Sequence, residues 1–397
     1  MNQHKATMRP AYAAVFVAES LDPETALTRH RDGWRRLAEQ TEAATFFMWP
    51  EVFEAWWREL AEGVEARVIV VHQGDALKGV LPVMRATVQR GPAFVPRIDY
   101  APYDRCFSPG GLRKFRVRQL SSVVSWRAMS LRPTLLCAKA DQPEVILAVT
   151  NVMGATREVD EIVLPVRRGD EDLWLAGLRA AGLSPWVHDL QRSVITLDKV
   201  RSFDEVIAAQ NHNFRKNIRR ARTAAADAGL AYTFHVGRDQ IAPHLETIAK
   251  LAAESWKGAG HPQGWTAIPY AEGQQRFIER LLSDSTSELT PVLNLGMAGD
   301  APVIAMLFVR HGAAATGLLV FRGQLCSDAS PGILGMGALV DWCAANGVSR
   351  FDLNATQDWI RHFSDASHML VNVAAFRPTL RGRVYDVIAR AWRKLRK

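Results

Sequence analysis

Three glycines stand close together in the stretch SPGILGMGALVDW, directly after an apolar run typical of a strand. They are Gly332, Gly335 and Gly337, and a helical pattern of apolar residues follows them. Glycine lets the backbone approach a ligand closely, and the free amides of a helix N-terminus attract a phosphate group. The spacing therefore predicts a phosphate site, with an ordinary tight turn as the alternative. A Rossmann site is disfavoured because Gly-x-Gly-x-x-Gly does not occur in that order.

Acidic and imidazole side chains follow the glycines in RFDLNATQDWIRHF. Asp352 and Asn354 alternate with apolar residues, so they share one face of a predicted strand, and that face can line a cleft. Asp358 and His362 are four residues apart and share a face if this segment is helical. These side chains are candidates for acid–base chemistry. A structural cap or ion pair for Asp352, and a solvent-exposed position for His362, are the alternatives.

A second candidate region is ESWKGAGHPQGW, where Trp256 lies in a Gly- and Pro-rich loop after a predicted helix. Such loops often form lids at the mouth of a cleft, and Glu254 offers an alternative base. An ordinary loop anchored by tryptophans fits equally well. The four cysteines have neither CxxC nor Cys/His spacing, so we expect reduced, buried thiols and no metal site. A nucleophilic cysteine is the minor alternative.

The elements that must position these residues fall into two similar halves. A chain of 397 residues suggests two domains. Each half has the order helix, strand, helix, β-meander, helix, strand, which predicts two related α/β domains with mixed sheets. We place the domains at 1–190 and 191–375, followed by a basic helix at 376–397. WVHDLQRSVITLD is predicted to be one strand.

The net charge of +8 is concentrated in two segments. Residues 211–222 contribute +5 and residues 376–397 contribute +7. The first segment has a narrow apolar stripe, so it predicts a helix packed on a core. Its exposed Lys216 and Arg219 are candidates for contact with an anionic substrate, and a solvated face is the alternative. The second segment is an amphipathic helix that suits either an anionic membrane or the protein's own core.

No run reaches the roughly 20 apolar residues that span a bilayer, and the N-terminus has no convincing cleavage site. We therefore expect a cytoplasmic protein, with peripheral contact at the inner face of the membrane through the C-terminal helix. A general nucleic-acid-binding surface is disfavoured because the basicity is local.

The chain resembles a known family in six motifs that occur in register over about residues 45–365: FFMWPEVFEAWWREL, GVLPV, FRKNIRRARTAAADAGL, ESWKG, SPGILGMGAL and FDLNATQDW. The glycine spacing is similar to the pyrophosphate loop of the GNAT acyltransferases, with Gly332 where Gln or Arg is expected. The motifs together resemble the acyltransferases associated with cellulose and exopolysaccharide biosynthesis. These are relatives of the Fem peptidyltransferases, which join two GNAT-like domains.

The resemblance implies acyl transfer from acetyl-CoA or another acyl-CoA to an amine or hydroxyl, without a metal. The amides of Gly335, Met336 and Gly337 would hold the pyrophosphate, and a strand ending at Val320–Arg322 would hold the pantetheine arm. An acceptor amine must be deprotonated, and Asp352, Asp358 or His362 would be the base. The expected donor contacts are Val320, Phe321, Arg322, Ser330, Gly332, Leu334, Gly335, Met336, Gly337 and Ala338. The expected acceptor contacts are Lys216, Arg219, Trp256, Asn354, Trp359 and Arg361.

Three functions follow, with different donors or partners. The first is transfer from acyl-CoA to a small molecule, amino sugar or polysaccharide precursor. The second is a Fem-like transfer from aminoacyl-tRNA to a cell-wall precursor, for which basic residues would bind the RNA backbone. The third is a non-catalytic nucleic-acid-binding or scaffold protein. The first half has no equivalent of GILGMGAL, so we expect one donor site, in the second half. The family usually has Tyr-Lys where this chain has Trp359-Ile360-Arg361.

Overall fold

The computed structural model describes most of the chain in thirteen ranges. They are 15–41, 45–61, 64–90, 115–122, 134–190, 193–196, 202–255, 274–284, 286, 288–353, 362–363, 366–367 and 370–395.

Eleven α-helices occur in these ranges, numbered in chain order. They are α1 Pro23–Gln40, α2 Pro50–Leu60, α3 Gln142–Ala155, α4 Glu171–Ala180, α5 Phe203–Ala209, α6 His212–Asp227, α7 Arg238–Ile241, α8 Leu245–Glu254, α9 Gln274–Ser283, α10 Pro331–Ala345 and α11 Leu380–Leu395. Short 3-10 helices are found at Phe46–Met48, Lys139–Asp141, Ala242–His244 and Ser327–Ala329. In the part of the chain that the structure describes, no helix has the length and apolar character needed to cross a membrane.

Fifteen strands form two sheets. The strands are β1 Phe16–Leu21, β2 Glu65–Gln73, β3 Ala76–Arg90, β4 Phe115–Ser122, β5 Leu136–Cys137, β6 Glu161–Arg167, β7 Ser184–Leu190, β8 Ser193–Thr196, β9 Leu230–Val236, β10 Leu289–Ala298, β11 Ala301–His311, β12 Ala314–Arg322, β13 Arg350–Asp352, β14 Ala366–Ser367 and β15 Leu370–Phe376. The first sheet has the order β1-β2-β3-β4-β6-β15-β7, with β5 also paired to β3. The second has the order β14-β8-β13-β12-β11-β10-β9.

Each sheet is mixed, as the sequence predicted. Among the described strands, the first sheet has one parallel pair, β4 with β6, and the second has one, β12 with β13. A helix connects the two strands of each pair, α3 in the first sheet and α10 in the second. A crossover of this kind is what adjacent parallel strands require. The matching β-α-β units confirm the predicted α/β class and the doubled element order.

The assignment of two strand segments to the halves differs from the predicted one. β15 lies beyond most of the second sheet in sequence, yet it pairs with β6 and β7 in the first sheet. The predicted single strand WVHDLQRSVITLD is two strands, because β7 joins the first sheet and β8 joins the second. Both differences have the same cause, since strand pairing between distant segments leaves no local signal in the sequence.

The helices cover the sheets on both faces. α3 and α4 pack on one face of the first sheet, and α5, α6 and α10 pack on one face of the second. The third core joins the halves, because it contains residues of α1 and α2 together with α8, α9 and β10–β12. At its rim the Glu59 carboxylate on α2 accepts hydrogen bonds from Arg276 and Arg280 on α9, at 3.2 and 2.9 Å.

Local signals explain the start of the two helices nearest to the functional residues. The Asn211 side chain accepts a hydrogen bond from the Phe214 amide at 2.9 Å, which caps α6. Its predicted apolar stripe is buried, namely Phe214, Ile218, Ala221 and Ala225. α10 begins at a proline, whose missing N–H costs nothing in a first helical turn.

Candidate active site

The candidate site lies at the carboxyl ends of the parallel strands β12 and β13. Their ladder covers three pairs and ends at Thr316 and Asp352, while β12 continues to Arg322 along β11. α10 connects the two strands, so its N-terminus lies at the end of β12. Ligands in open α/β sheets bind in the crevice outside the carboxyl ends of parallel strands. The glycine-rich segment follows the far end of β12, and Asp352 ends β13 beside Thr316.

The N-terminus of α10 is suited to an anion. No acidic residue lies in its first turn. The amides of Ile333 and Leu334 both bond to the Ser330 carbonyl, at 2.9 and 3.2 Å. Pro331 has no N–H, and the Gly332 amide has no acceptor among the described residues. The dipole and this amide therefore favour a negatively charged group beside Gly332.

The chain is strained where it enters α10. Cys326 and Ser330 have φ values of 56° and 47°, which are left-handed conformations that non-glycine residues seldom adopt. Tyr232 on β9 supports this turn, because its hydroxyl donates a hydrogen bond to the Pro331 carbonyl at 2.9 Å. Burial raises the pKa of Tyr232, so the hydroxyl stays a donor at neutral pH. Such strain is concentrated at functional sites in proteins.

Two of the three glycines serve packing. A Cβ on Gly335 would lie 3.0 Å from the Tyr232 ring and 3.1 Å from Met306, and one on Gly337 would overlap the Phe203 ring. The Gly335 carbonyl accepts a hydrogen bond from the Asn294 side chain at 2.9 Å. These glycines let α10 lie close to the sheet and to α5.

Three of the expected pyrophosphate contacts therefore lie one turn beyond the free end of the helix. Gly335, Met336 and Gly337 are buried in the second turn of α10, where the amides belong to the helical hydrogen-bond ladder. Leu334 and Met336 point into the core and Ala338 is half-buried. Ser330 and Gly332 lie at the first turn, as predicted, and they mark the free end of the helix.

The end of β12 carries the other expected donor contacts. Val320 is half-buried, Phe321 is buried and Arg322 is exposed. The next residue, Gly323, lies against α8, and a Cβ there would be 3.3 Å from a carboxylate oxygen of Glu254. The alternative base that the sequence suggested is thus beside the end of β12. The sequence does not show this position, because Glu254 is far from β12 along the chain.

Asp352 is placed at the site by the ladder that ends β13. Phe351 and Ala315 face the core under α10, so Asp352 and its register partner Thr316 face the other side of the sheet. Asp352 is 6% exposed. The Thr316 hydroxyl is 3.0 Å from His311 Nε2. Thr316 and His311 are polar neighbours that sequence patterns do not reveal, since both lie in apolar strand runs.

His362 is held away from free solvent. Its ring packs on Phe214 with a centroid distance of 4.3 Å. Its Nδ1 lies 3.1 Å from the Gln210 side-chain oxygen, and its carbonyl accepts a hydrogen bond from the same side chain at 3.0 Å. The alternative of an exposed His362 is therefore wrong, and its contacts are those of a residue that fastens the start of α6. Five predicted site residues lie outside the described residues: Trp256, Asn354, Asp358, Trp359 and Arg361.

Among the basic residues of α6 that the sequence singled out or that lie near them, one forms an ion pair and two do not within the described residues. Arg222 forms an ion pair with Asp204 at 2.7 Å and lies over the Phe203 ring. Lys216 and Arg219 are exposed, and neither has an ion-pair partner among the described residues. Their role in binding an anionic substrate stays a prediction.

Two of the three described cysteines, Cys137 and Cys343, are unsuited to nucleophilic catalysis by their environment. Cys137, Cys326 and Cys343 are free thiols. Burial raises the pKa of Cys137 to about 12, and that of Cys343 to about 12. Neither of these two is a thiolate at neutral pH, and the thiolate is the reactive form.

The equivalent unit of the first half is unfavourable for an anion. α3 is preceded by Asp141 and carries Glu144 in its first turn, and Lys78 pairs with Asp141 at 3.0 Å. Carboxylates at a helix N-terminus repel a phosphate group that would bind there. That the chain has one donor site, in the second half, stays a prediction.

Comparison with known proteins identifies the second half. Residues 212–359 match the family described as acetyltransferase (GNAT) domain, and no curated protein matches the chain. The crystal structure of FemX is similar with a TM-score of 0.56 and 12% identity, over 90% of this chain and 98% of that one. The C-terminal domain of a protein from Agrobacterium fabrum, assigned as a lysylphosphatidylglycerol synthetase, has a TM-score of 0.52 and 10% identity, over 93% and 97%.

A tandem GNAT protein from the clavulanic acid biosynthesis pathway has a TM-score of 0.47 and 10% identity, over 92% of this chain and 99% of that one. The family match covers α6, β9–β13 and α10, which are the elements that build the candidate site. The structural similarity to FemX extends over both sheets and shows the fold. Residues 212–359 thus match a GNAT acetyltransferase domain, and they lie within a two-sheet α/β fold that FemX shares.

Proposed function

We propose that the protein transfers an acyl group, most simply acetyl, from acyl-CoA to an amine or hydroxyl of a small molecule, amino sugar or polysaccharide precursor. The observation that carries the proposal is the β12–α10–β13 unit. Its helix N-terminus carries no acidic residue and lies beside a strand end, within the segment that matches the acetyltransferase family.

The choice of acyl-CoA as the donor follows from the properties of the N-terminus of α10. The pyrophosphate of CoA is a compact double negative charge, and a helix N-terminus with an available amide at Gly332 suits it. The pantetheine arm would extend along the end of β12 at Val320–Arg322, because a strand edge offers hydrogen bonds to its amides. The resulting position of the thioester is near the carboxyl ends of both parallel strands.

The reaction needs one base. The acceptor nitrogen or oxygen attacks the thioester carbonyl carbon, the carbon–sulfur bond breaks, and CoA leaves as a thiolate that takes up a proton. The proton lost by the acceptor passes to a carboxylate. Asp352 lies at the end of β13 beside Thr316, and Glu254 lies beside Gly323 at the far end of β12. We assign the role to Asp352, because it is buried at the strand end, whereas the Glu254 side chain is exposed.

Aminoacyl-tRNA is the alternative donor. It needs no pyrophosphate cradle, but it needs cations along the RNA backbone, and the exposed Lys216 and Arg219 on α6 suit that use. The two donors therefore rely on different residues. A substitution at Gly332 should affect binding of acyl-CoA, while substitutions on α6 should affect tRNA.

The decisive experiment places a charge at Gly332. A Cβ at this position would meet nothing within 4 Å, and an acidic residue in a first turn is compatible with the helix. We expect Gly332→Glu to weaken binding of acetyl-CoA at least about tenfold, since a like charge beside a phosphate costs of the order of 1–2 kcal/mol. Isothermal titration with acetyl-CoA, palmitoyl-CoA and free CoA measures the effect.

Gly332→Gln is the matched control, because it has the size of Glu without the charge. Equal losses for both variants would indicate steric blocking and not charge repulsion. No binding of any CoA compound to the wild-type protein at millimolar concentration would reject the proposal. Binding of aminoacyl-tRNA in that case, with a steep salt dependence, would support the alternative donor.

Contact with an anionic membrane is a separate proposal. α11 packs on the first sheet through Tyr385, whose hydroxyl donates to the Arg116 carbonyl at 3.0 Å. Leu380, Val384 and Val387 on the same helix are exposed, and they recur at helical spacing between basic residues. The exposed stripe supports a role for this helix at an anionic surface where the acceptor is lipid-linked.

A further inference from the structure

Three side chains with metal-binding atoms converge at the outer edge of the first sheet. They are Glu19 on β1, His72 on β2 and His30 on α1. One carboxylate oxygen and one nitrogen of each imidazole all lie within 4.8 Å of one another. The two imidazole rings have a centroid distance of 4.9 Å and are tilted by 49°. Among the described residues this is the one such group of three or more.

The strand register creates half of this cluster. β1 and β2 are antiparallel, with Val17 opposite His72 and Glu19 opposite Val70. Glu19 and His72 are therefore diagonal neighbours on the same face, a separation that long side chains bridge. This face of the sheet is the one that α1 covers, since Val70 belongs to the core beneath that helix.

The periodicity of α1 supplies the third side chain. His30 is three residues after Leu27 and four before Trp34, and both of these are buried against the sheet. Residues at these spacings share one face of a helix, so His30 is aimed at the strands. The ligands come from three different elements, which is why no motif in the sequence announces them.

One nitrogen of the His30 imidazole lacks a hydrogen-bond partner in the described part of the chain. Its Nε2 is buried and has no hydrogen-bond partner among the described residues. A buried polar atom without a partner is costly, and each such atom in a native structure calls for an explanation.

We propose that Glu19, His30 and His72 bind a divalent transition metal, with zinc as the best candidate. Two imidazoles and one carboxylate are a ligand set that zinc uses, with a fourth position left for water. Nitrogen ligands disfavour magnesium and calcium, which prefer oxygen. Ferrous iron accepts the same ligand set and is distinguished by the test.

Metal binding would stabilise the edge of the first sheet. β1 is the terminal strand of its sheet, and a metal held by β1, β2 and α1 would fasten that edge. The site belongs to the first half, apart from the β12–α10–β13 unit, so it does not depend on the proposed acyl transfer. A ligand that binds only the folded state raises the unfolding temperature.

The test uses the full chain, stripped with a chelator and then titrated with zinc chloride. We expect one high-affinity zinc per chain, a higher unfolding temperature with zinc, and the visible absorption of tetrahedral cobalt after cobalt loading. His30→Ala and His72→Ala should each weaken zinc binding by at least about 100-fold, because losing even an outer partner of a ligand costs about 10- to 100-fold. Tighter binding of ferrous iron than zinc under anaerobic conditions would overturn the choice of zinc.

A second histidine pair provides a matched control. His235 and His244 have a ring centroid distance of 4.0 Å, but no third ligand joins them within the described residues. His235→Ala should leave zinc binding unchanged. Equal zinc affinity of the wild-type protein and His30→Ala, or an equal loss in His235→Ala, would reject the site. Glu19→Gln, on the edge strand, repeats the test with little risk to folding, which circular dichroism monitors.

Discussion

The position of Asp352 depends on the pairing of its strand with β12. The sequence predicted that it faces a cleft, because it alternates with apolar residues in a short strand. The ladder with Thr316 places it on the sheet face away from α10 and buries it at the carboxyl end of β13. Glu254 on α8 lies instead against Gly323, beyond the end of β12. The two candidate bases thus lie at different positions along β12.

A pair of amide substitutions separates these carboxylates. Asp352→Asn keeps the shape of the side chain but removes the proton acceptor, so we expect kcat to fall by about 10²- to 10⁴-fold with little change in the Kd of acetyl-CoA. Glu254→Gln should lower kcat less than tenfold when kcat is measured in the same way for both variants. The opposite order of effects would transfer the role to Glu254.

At the scale of one element, the first two turns of α10 have different environments. Its first turn is open, with Gly332 free of neighbours, while its second turn is pressed against β9 and α5 through Gly335 and Gly337. Glycine is costly inside a helix, so its presence at the second turn reflects the close approach of the helix to its neighbours. The phosphate motif predicted by spacing is thus partly a packing motif.

Two substitutions in this helix test the distinction. Gly337→Ala should destabilise the protein by about 1–3 kcal/mol, because the added methyl group overlaps the Phe203 ring. Gly332→Ala should leave stability unchanged or raise it by up to about 1 kcal/mol, since alanine favours the helix and meets no neighbour. Urea denaturation followed by circular dichroism measures both. Equal stabilities would show that α10 can move away from α5 at little cost.

At the scale of the whole molecule, the two halves are not separable pieces of chain. β15 comes from the end of the sequence and lies between β6 and β7 in the first sheet. α2 and α9 also share a core and the ion pairs of Glu59. The family match covers residues 212–359, which belong to the second half, so it gives no information on the first half.

A truncation makes this dependence measurable. A fragment of residues 1–190 lacks β15, so we expect β7 to lose its neighbour and the fragment to unfold without a cooperative transition. Joining residues 370–397 to that fragment through a Gly/Ser linker should restore cooperative unfolding in urea. Cooperative unfolding of the fragment by itself would show that β6 and the helices are sufficient for the first sheet.

The sequence by itself determined the features that depend on neighbours along the chain. Periodicity, caps and glycine turns placed β9, β12, α6 and the β-α-β order of the second half, and the motifs led to the GNAT family. The predicted polar face at Asp352 has the same origin. These features are readable because a helix or strand repeats its pattern within a few residues.

Only the tertiary structure decided what depends on contact between distant segments. It split the predicted strand at 186–198 between two sheets, carried β15 into the first sheet, and left Gly332, not Gly335 or Gly337, at the open turn of α10. It also brought Glu254 to β12, and Glu19 and His30 to His72. The physical reason is that strand pairing and helix packing join residues whose separation along the chain carries no periodic signal.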